Sequence, residues 1–149
     1  PQGYVELEGF AWPAASVARS ASGDELVYYS LQLQRAETRG SGKNRRTEWV
    51  TVFSHGHTHP FYLVDATGLA LVDPSAAELD LESPRTRKWN ALSTEERERV
   101  AALTAKAGVK GFPPARGFFG IFSSSYRIVE KEIRIGSPLY LHGDFRTLS

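Results

Sequence analysis

The chain has 149 residues, enough for one domain, and 41% of them are apolar, enough for a hydrophobic core. Its formal net charge of +1 gives no strong field to attract nucleic acid or an acidic partner. It contains no cysteine, which excludes disulfides, cysteine-ligated zinc and thiol catalysis. No apolar run approaches the roughly 20 residues that cross a bilayer, and no signal peptide is visible. Because the chain starts at Pro1 and has no methionine, we expect it to be a piece of a longer protein.

Alternating apolar and polar residues predict three strands in the first third of the chain. Tyr4–Glu8 predicts a half-buried strand that Gly9 and Pro13 end or bulge. Leu26–Arg35 has the clearest period of two, and Glu48–Ser54 repeats the pattern. Between them, the Gly-, Ser- and Arg-rich segment Thr38–Thr47 predicts a mobile hairpin loop.

The segment Pro60–Pro74 predicts the central element of the fold. Two apolar runs, Phe61–Val64 and Leu69–Val72, flank a Gly-containing turn, which is typical of a β-hairpin. Because neither run alternates with polar residues, we expect both faces to be covered and the hairpin to lie centrally, not at an edge. With the preceding strands it predicts an antiparallel meander.

Ser93–Ala107 is the one segment that predicts a helix. Ser93 and Glu96 have capping-box spacing, and Gly108 stands where a C-terminal cap belongs. The apolar stripe of this helix is narrow, so we expect it to lie on the surface of the β core.

The remaining C-terminal segments complete a mainly β fold. Ser75–Asn90 is charged and predicts irregular structure, and Lys110–Phe122 predicts an aromatic loop. Ser125–Ile135 and Leu139–Arg146 predict the last two strands. We therefore expect one domain over residues 1–149: a partly closed antiparallel β-barrel, of which an OB-like barrel would be one form, with a helical insertion at about 75–122.

Five segments occur in a specific order and together cover about half of the chain. They are YVELEG, SASGDELVYYSLQLQRAE, the tryptophan at position 49, PFYLVDATGLALVDP and YRIVEKEIRIGSPLYLHGDF. In this order they resemble the GIDE domain, also called the beside-a-membrane (BAM) domain, as in the MULAN/MAPL ubiquitin ligase and prokaryotic relatives. Residues 75–122 carry little of the resemblance.

The resemblance implies a membrane-anchored protein whose domain recognises other proteins. In the ligase, the domain lies between two membrane helices and a separate RING performs the ubiquitin chemistry. This chain has no cysteine, so it contains no RING, and the resemblance supplies no catalytic residue. We expect a non-catalytic interaction domain that is attached to a membrane through segments outside this chain, on a side that the sequence does not define.

The stretch HGHTH supports an alternative function. In an extended segment its three imidazoles share one face, and three histidines plus water are a known zinc arrangement; they are His55, His57 and His59. The domain would then be a metal- or small-ligand-binding barrel, with hydrolysis as one use. Otherwise this is a polar loop whose histidines contact solvent, and we expect no cofactor.

Two loops are candidate partner contacts. The first has a basic tip, which suits anionic headgroups or is simply solvated: Arg39, Lys43, Arg45 and Arg46. The second has an aromatic group, which either covers the end of the barrel or binds a protein partner: Phe112, Phe118, Phe119 and Phe122. A further basic cluster, expected to behave like the first, is Arg85, Arg87 and Lys88.

A nucleic-acid-binding barrel is the third alternative. The basic loop has no aromatic residues beside it, so we expect no nucleic-acid partner. The carboxylates predict no acid–base pair: Asp65 and Asp73 belong to turns, and Glu130 and Glu132 are expected to pair with arginine.

Overall fold

The computed structural model describes residues 3–56, 59–74, 78–79, 84–109, 112 and 125–145. Within these ranges the chain forms ten strands and one α-helix, which confirms the predicted mainly β class with a helical insertion. The elements are β1 (Gly3–Pro13), β2 (Ala18–Arg19), β3 (Glu25–Arg39), β4 (Arg46–Gly56), β5 (Phe61–Asp65), β6 (Gly68–Val72), β7 (Glu78–Leu79), β8 (Arg85–Lys88), α1 (Thr94–Lys106), β9 (Tyr126–Arg134) and β10 (Pro138–Phe145).

The strands form two antiparallel sheets, one of which curls into a half-barrel. The first sheet has the order β6-β5-β1-β10-β7, and the second has the order β2-β3-β9-β8 with β4 also paired to β3. The predicted meander is wrong after β4, because β5 pairs with β1 in the other sheet. Among the described strands the chain changes sheets four times: after β1, after β4, after β7 and after β9.

The β5–β6 hairpin forms as predicted, but its predicted central position is wrong. Among the described strands, β6 lies at the end of the first sheet. One face of the hairpin is buried, through Phe61, Leu63 and Val72, whereas Leu69 and Leu71 on the other face are 65% and 43% exposed. The unbroken apolar sequence therefore reflects one buried face and one open apolar face.

Two clusters of buried side chains stabilise the fold. The cluster between the sheets comprises Ala11, Val27, Phe61, Leu63, Val72, Ile133 and Leu141. The cluster between the second sheet and α1 comprises Ala18, Ala21, Leu26, Tyr29, Leu31, Leu33, Leu92, Val100 and Ile128. The second sheet contributes to both clusters, so one of its faces meets the first sheet and the other meets the helix.

Four segments differ clearly from their predicted structure. β1 continues through Gly9, because the absent side chain allows close approach: a Cβ there would lie 2.7 Å from the carbonyl oxygen of Val64. β3 and β4 extend further than predicted, which shortens the loop between them to residues 40–45. Arg85–Lys88, predicted to be irregular, pairs with β9 as a strand.

The predicted helix is confirmed, including its ends. Ser93 and Glu96 form a reciprocal capping box, and Gly108 has a φ of +76° just after the C-terminus. Val100 and Thr104 are buried against the second sheet. Within the part of the chain that the structure describes, no helix has the length and apolarity to cross a membrane.

Candidate functional site

Arg87 on β8 joins carboxylates from two other elements. Its guanidinium lies 2.7 Å from Glu130 on β9 and 2.5 Å from Glu96 on α1, and its side chain is only 14% exposed. Glu130, itself 5% exposed, also accepts a 2.6 Å hydrogen bond from the hydroxyl of Tyr29. The interpretation of Arg87 as a solvated or lipid-facing cation is therefore wrong, because it fastens the helix to the second sheet.

The charges in this network have fixed partners. Burial alone would raise the pKa of Glu96, but the backbone N–H of Ser93 and the guanidinium of Arg87 outweigh it and lower that pKa to about 2. Burial and the hydrogen bond to Glu130 raise the pKa of Tyr29 far above its usual value, so its phenol stays a donor. The predicted pairing of Glu130 with arginine is confirmed. These contacts favour a structural role over a catalytic one.

The basic loop is partly neutralised by its own strands. Arg39 and Arg46 lie 3.4 Å and 2.9 Å from the carboxylate of Glu48. Lys43 lies within a short 3-10 turn and Arg45 follows it, and both side chains are exposed. A partner contact through this loop stays a prediction, with Lys43 and Arg45 as its more available cations.

Two of the three candidate metal ligands are described by the structure. His55 is half-buried on β4, opposite Leu31 of β3, and His59 is exposed just before β5. His57 lies outside the described residues. The described part of the chain contains no group of three His, Cys, Asp or Glu residues that could hold a metal ion. The three-histidine site stays a prediction.

Phe112 is the one described member of the predicted aromatic group. Its ring lies edge-on to Trp89 and to Tyr126, with centroids 4.8 Å and 5.1 Å away, and it is half-buried against the cluster beneath α1. For Phe112, these contacts agree with the alternative in which the aromatic group covers the end of the barrel. Phe118, Phe119 and Phe122 lie outside the described residues, and their contact with a partner stays a prediction.

The outward side of the first sheet, which we call the open face, carries large apolar side chains. The strand register places Phe10, Val64 and Leu69 in one row and Trp12, Tyr62 and Leu71 in the next. Phe10, Trp12 and Leu69 are 57%, 55% and 65% exposed. Contiguous exposed apolar surface of this kind is typical of binding sites.

A groove of about 470 Å³ lies beside the open face. It is lined by Glu8, Gly9, Phe10, Asp65, Pro138, Leu139 and Tyr140. Hydrogen bonds from the hydroxyl and the backbone N–H of Thr67 lower the pKa of Asp65, so this side chain is an anion at neutral pH. The groove combines apolar walls with two carboxylates, which suits a cationic group on an apolar segment.

Phe10 and Trp12 are not among the site residues predicted from the sequence. Because side chains alternate along a strand, Phe10 and Trp12 lie on the same, solvent-facing side of β1 as Glu6 and Glu8. Large aromatic residues at positions that alternation assigns to solvent were the signal that could have identified the open face.

The chain matches one family of known proteins. A family model named GIDE and described as an E3 ubiquitin ligase matches residues 30–148. No curated protein and no solved structure matches the chain. The matched region runs from within β3 to beyond β10 and so includes most of both sheets and the helix. The chain therefore belongs to the GIDE family and is a ubiquitin-ligase-related domain.

Proposed function

We propose that this chain is a non-catalytic recognition domain of a membrane-anchored, ubiquitin-ligase-related protein, and that its open face binds the protein it recognises. The observation that carries the proposal is the exposure of Phe10 and Trp12 beside Leu69 and Leu71. Aromatic residues are enriched in the cores of protein interfaces, where they provide most of the binding energy.

Other features support the non-catalytic part of the proposal. The chain has no cysteine and hence no RING, so ubiquitin transfer would require another domain. The charges of Arg87 and Glu96, which are partly buried, and of Glu130, which is buried, bind one another and the helix cap. Membrane anchoring is supported by the resemblance to domains that lie beside a membrane, with the anchors outside this chain.

Site-specific photocrosslinking in the full-length protein, expressed in its own membranes, tests the proposal. Phe10 is replaced by p-benzoylphenylalanine, and the matched control carries the same group at Gln32, which is exposed on the second sheet. We expect one defined protein adduct from position 10, absent from position 32 and abolished by the further substitution Trp12→Ser. Carbonate extraction of the same membranes checks the anchoring.

Two results would contradict the proposal. Crosslinking from position 10 that yields only lipid adducts, or the same adducts as position 32, would show that the open face does not bind a protein. Release of the full-length protein by carbonate would show that no integral anchor holds it.

A further inference from the structure

Among the described strands, β6 forms the edge of the first sheet next to the open face. No described strand pairs with β6 on the side away from β5, and its sequence GLALV contains no charge and no proline. Soluble proteins usually protect such an edge with lysine, proline or a bulge, because its free backbone groups can pair with another strand. The hairpin offers none of these devices along β6.

The direction in which the backbone N–H and C=O groups of β6 point follows from the contact between β1 and β5. The carbonyl oxygen of Val64 lies 2.7 Å from the Cβ position of Gly9, so it points towards β1 and away from β6. Val64 is opposite Leu69, which makes this a pair without ladder hydrogen bonds. The backbone N–H and C=O of Leu69, and by alternation of Leu71, therefore point outward from the sheet edge.

The same two residues place their side chains on the open face. Leu69 and Leu71 are 65% and 43% exposed and continue the rows that start at Phe10 and Trp12. A strand added to β6 would form backbone hydrogen bonds with Leu69 and Leu71, and its alternate side chains would extend the apolar rows.

The charge of the first sheet defines the chemistry of the added strand. Its five strands contain no lysine and no arginine, although the whole chain has 18 of these residues. They do contain acidic residues, of which Glu6, Glu8 and Asp65 are exposed. An apolar surface with an acidic rim attracts a basic segment, and it disfavours both an anionic lipid surface and a second copy of itself.

We propose that β6 binds an extended segment of a partner protein by strand addition, and that this segment has apolar residues at alternate positions and lysine or arginine at its ends. The inference rests on the proposed function and specifies the chemistry of the recognised protein. Backbone pairing with Leu69 and Leu71 provides register, and apolar side chains contact the open face. The basic end beside Gly68 lies nearest to Asp65, at the turn of the hairpin, whereas Glu6 and Glu8 on β1 attract the segment at longer range.

Two synthetic peptides with one apolar pattern test the proposal on the 149-residue chain. One, KTVTVTK, has lysine ends, and the other, ETVTVTE, has glutamate ends; both are acetylated and amidated. NMR titration of the labelled protein reports the affinity and the site. We expect the lysine peptide to bind at least about tenfold more tightly, to shift the amide signals of β6, and to weaken with salt.

A proline substitution separates strand addition from simple apolar contact. The N–H of Leu71 points outward, so Leu71→Pro removes a donor for the added strand without removing a bond of the hairpin. We expect this variant to remain folded by circular dichroism and to bind the lysine peptide about tenfold more weakly. The matched control Leu71→Ala removes the same apolar side chain but keeps the backbone N–H, so it should bind the lysine peptide more tightly than Leu71→Pro.

Several outcomes would overturn the inference. These are equal or no binding of the two peptides, shifts outside β6 and the open face, or undiminished binding by folded Leu71→Pro. Concentration-dependent β6 shifts with dimers in ultracentrifugation would identify a second copy as the occupant. Shifts with phosphatidylserine vesicles in place of peptide would identify a membrane. Photocrosslinking from position 10 that persists in Leu71→Pro would reject strand addition while leaving the proposed function intact.

Discussion

The two sheets of this domain share a core but differ in what lies on their other sides. The second sheet is covered by α1, which contributes Val100 and is fastened through Arg87 and Glu96. The open face of the first sheet is also apolar, yet Phe10 and Trp12 are more than half exposed. Similar side chains thus stabilise the fold on one sheet and stay in solvent on the other.

The difference separates residues required for folding from residues available for binding. Burial of apolar surface contributes roughly 25 cal/mol per Å², and an exposed side chain does not realise that contribution until a partner covers it. Substitutions on the covered side should therefore reduce the free energy of unfolding, and substitutions on the open face should mainly change association.

We expect the largest loss of unfolding free energy when Arg87, the cation between α1 and the second sheet, is removed. Arg87→Ala leaves the carboxylate of Glu130, which is 5% exposed, without its ion pair. Breaking a buried pair from one side costs about 3–4 kcal/mol of unfolding free energy, measurable by urea denaturation. Arg85→Ala, an exposed arginine of the same strand, should change it by less than about 0.5 kcal/mol. Equal losses in the two variants would contradict a central role for Arg87.

The β5–β6 hairpin has both a buried and an exposed leucine, so the stability effects of the covered and the open side can be compared within one hairpin. Leu63 is 4% exposed and Leu69 is 65% exposed. Leu63→Ala should lower the free energy of unfolding by about 3 kcal/mol, through lost burial and a cavity. Leu69→Ala should lower it by less than about 0.5 kcal/mol. A loss of more than about 1.5 kcal/mol in Leu69→Ala would show that the open face contributes to folding.

The close approach of β1 and β5 predicts the next largest effect. Gly9→Ala places a methyl group 2.7 Å from the carbonyl oxygen of Val64, so the strands must separate at that point. We expect a loss of about 2 kcal/mol, seen as a fall of roughly 6 °C in melting temperature. Gly56→Ala is the control, because a Cβ there meets no atom within 4 Å. A melting temperature for Gly9→Ala at or above that of Gly56→Ala would contradict this contact.

The smallest effect concerns pH. Because folding lowers the pKa of Glu96 to about 2, its carboxylate stabilises the protein above the unfolded pKa near 4.5. That stabilisation decreases as the pH falls through the folded pKa. Glu96→Gln should be less stable than the parent by about 1–2 kcal/mol at pH 6, and the difference should shrink between pH 5 and about 2. Urea denaturation across that range measures it, and a difference independent of pH would contradict this assignment.

Local patterns in the sequence predicted local structure. The alternation in Leu26–Arg35 predicted β3, and the spacing of Ser93 and Glu96 predicted the start of α1; both depend on neighbours a few residues away. The hydrogen bond between the side chains of Tyr29 and Glu130 joins residues 101 positions apart, and no local sequence pattern indicates it. The pairing of strands that are distant in sequence is likewise not indicated by local patterns. The predicted meander was wrong for this reason, since β5 pairs with β1.

The hairpin shows a second limit of sequence patterns. An unbroken apolar run such as Leu69–Val72 is compatible with two covered faces or with one covered face and one that awaits a partner. Hydrophobicity is the same in both cases, so sequence alone could not place β6 at an edge. The part of the open face on β6 was missed for this reason, whereas Phe10 and Trp12 on β1 lie at positions that alternation assigns to solvent.

The carboxylate of Glu96 links helix initiation to sheet assembly. It caps the backbone N–H of Ser93, accepts a hydrogen bond from the hydroxyl of Ser22, and pairs with Arg87. Opening the first turn of α1 would therefore also break contacts to β8 and to the turn before β3. Native-state hydrogen exchange should then show the amide of Glu96 exchanging together with the amides of β8 that pair with β9, as one cooperative unit, instead of through fraying of the helix end.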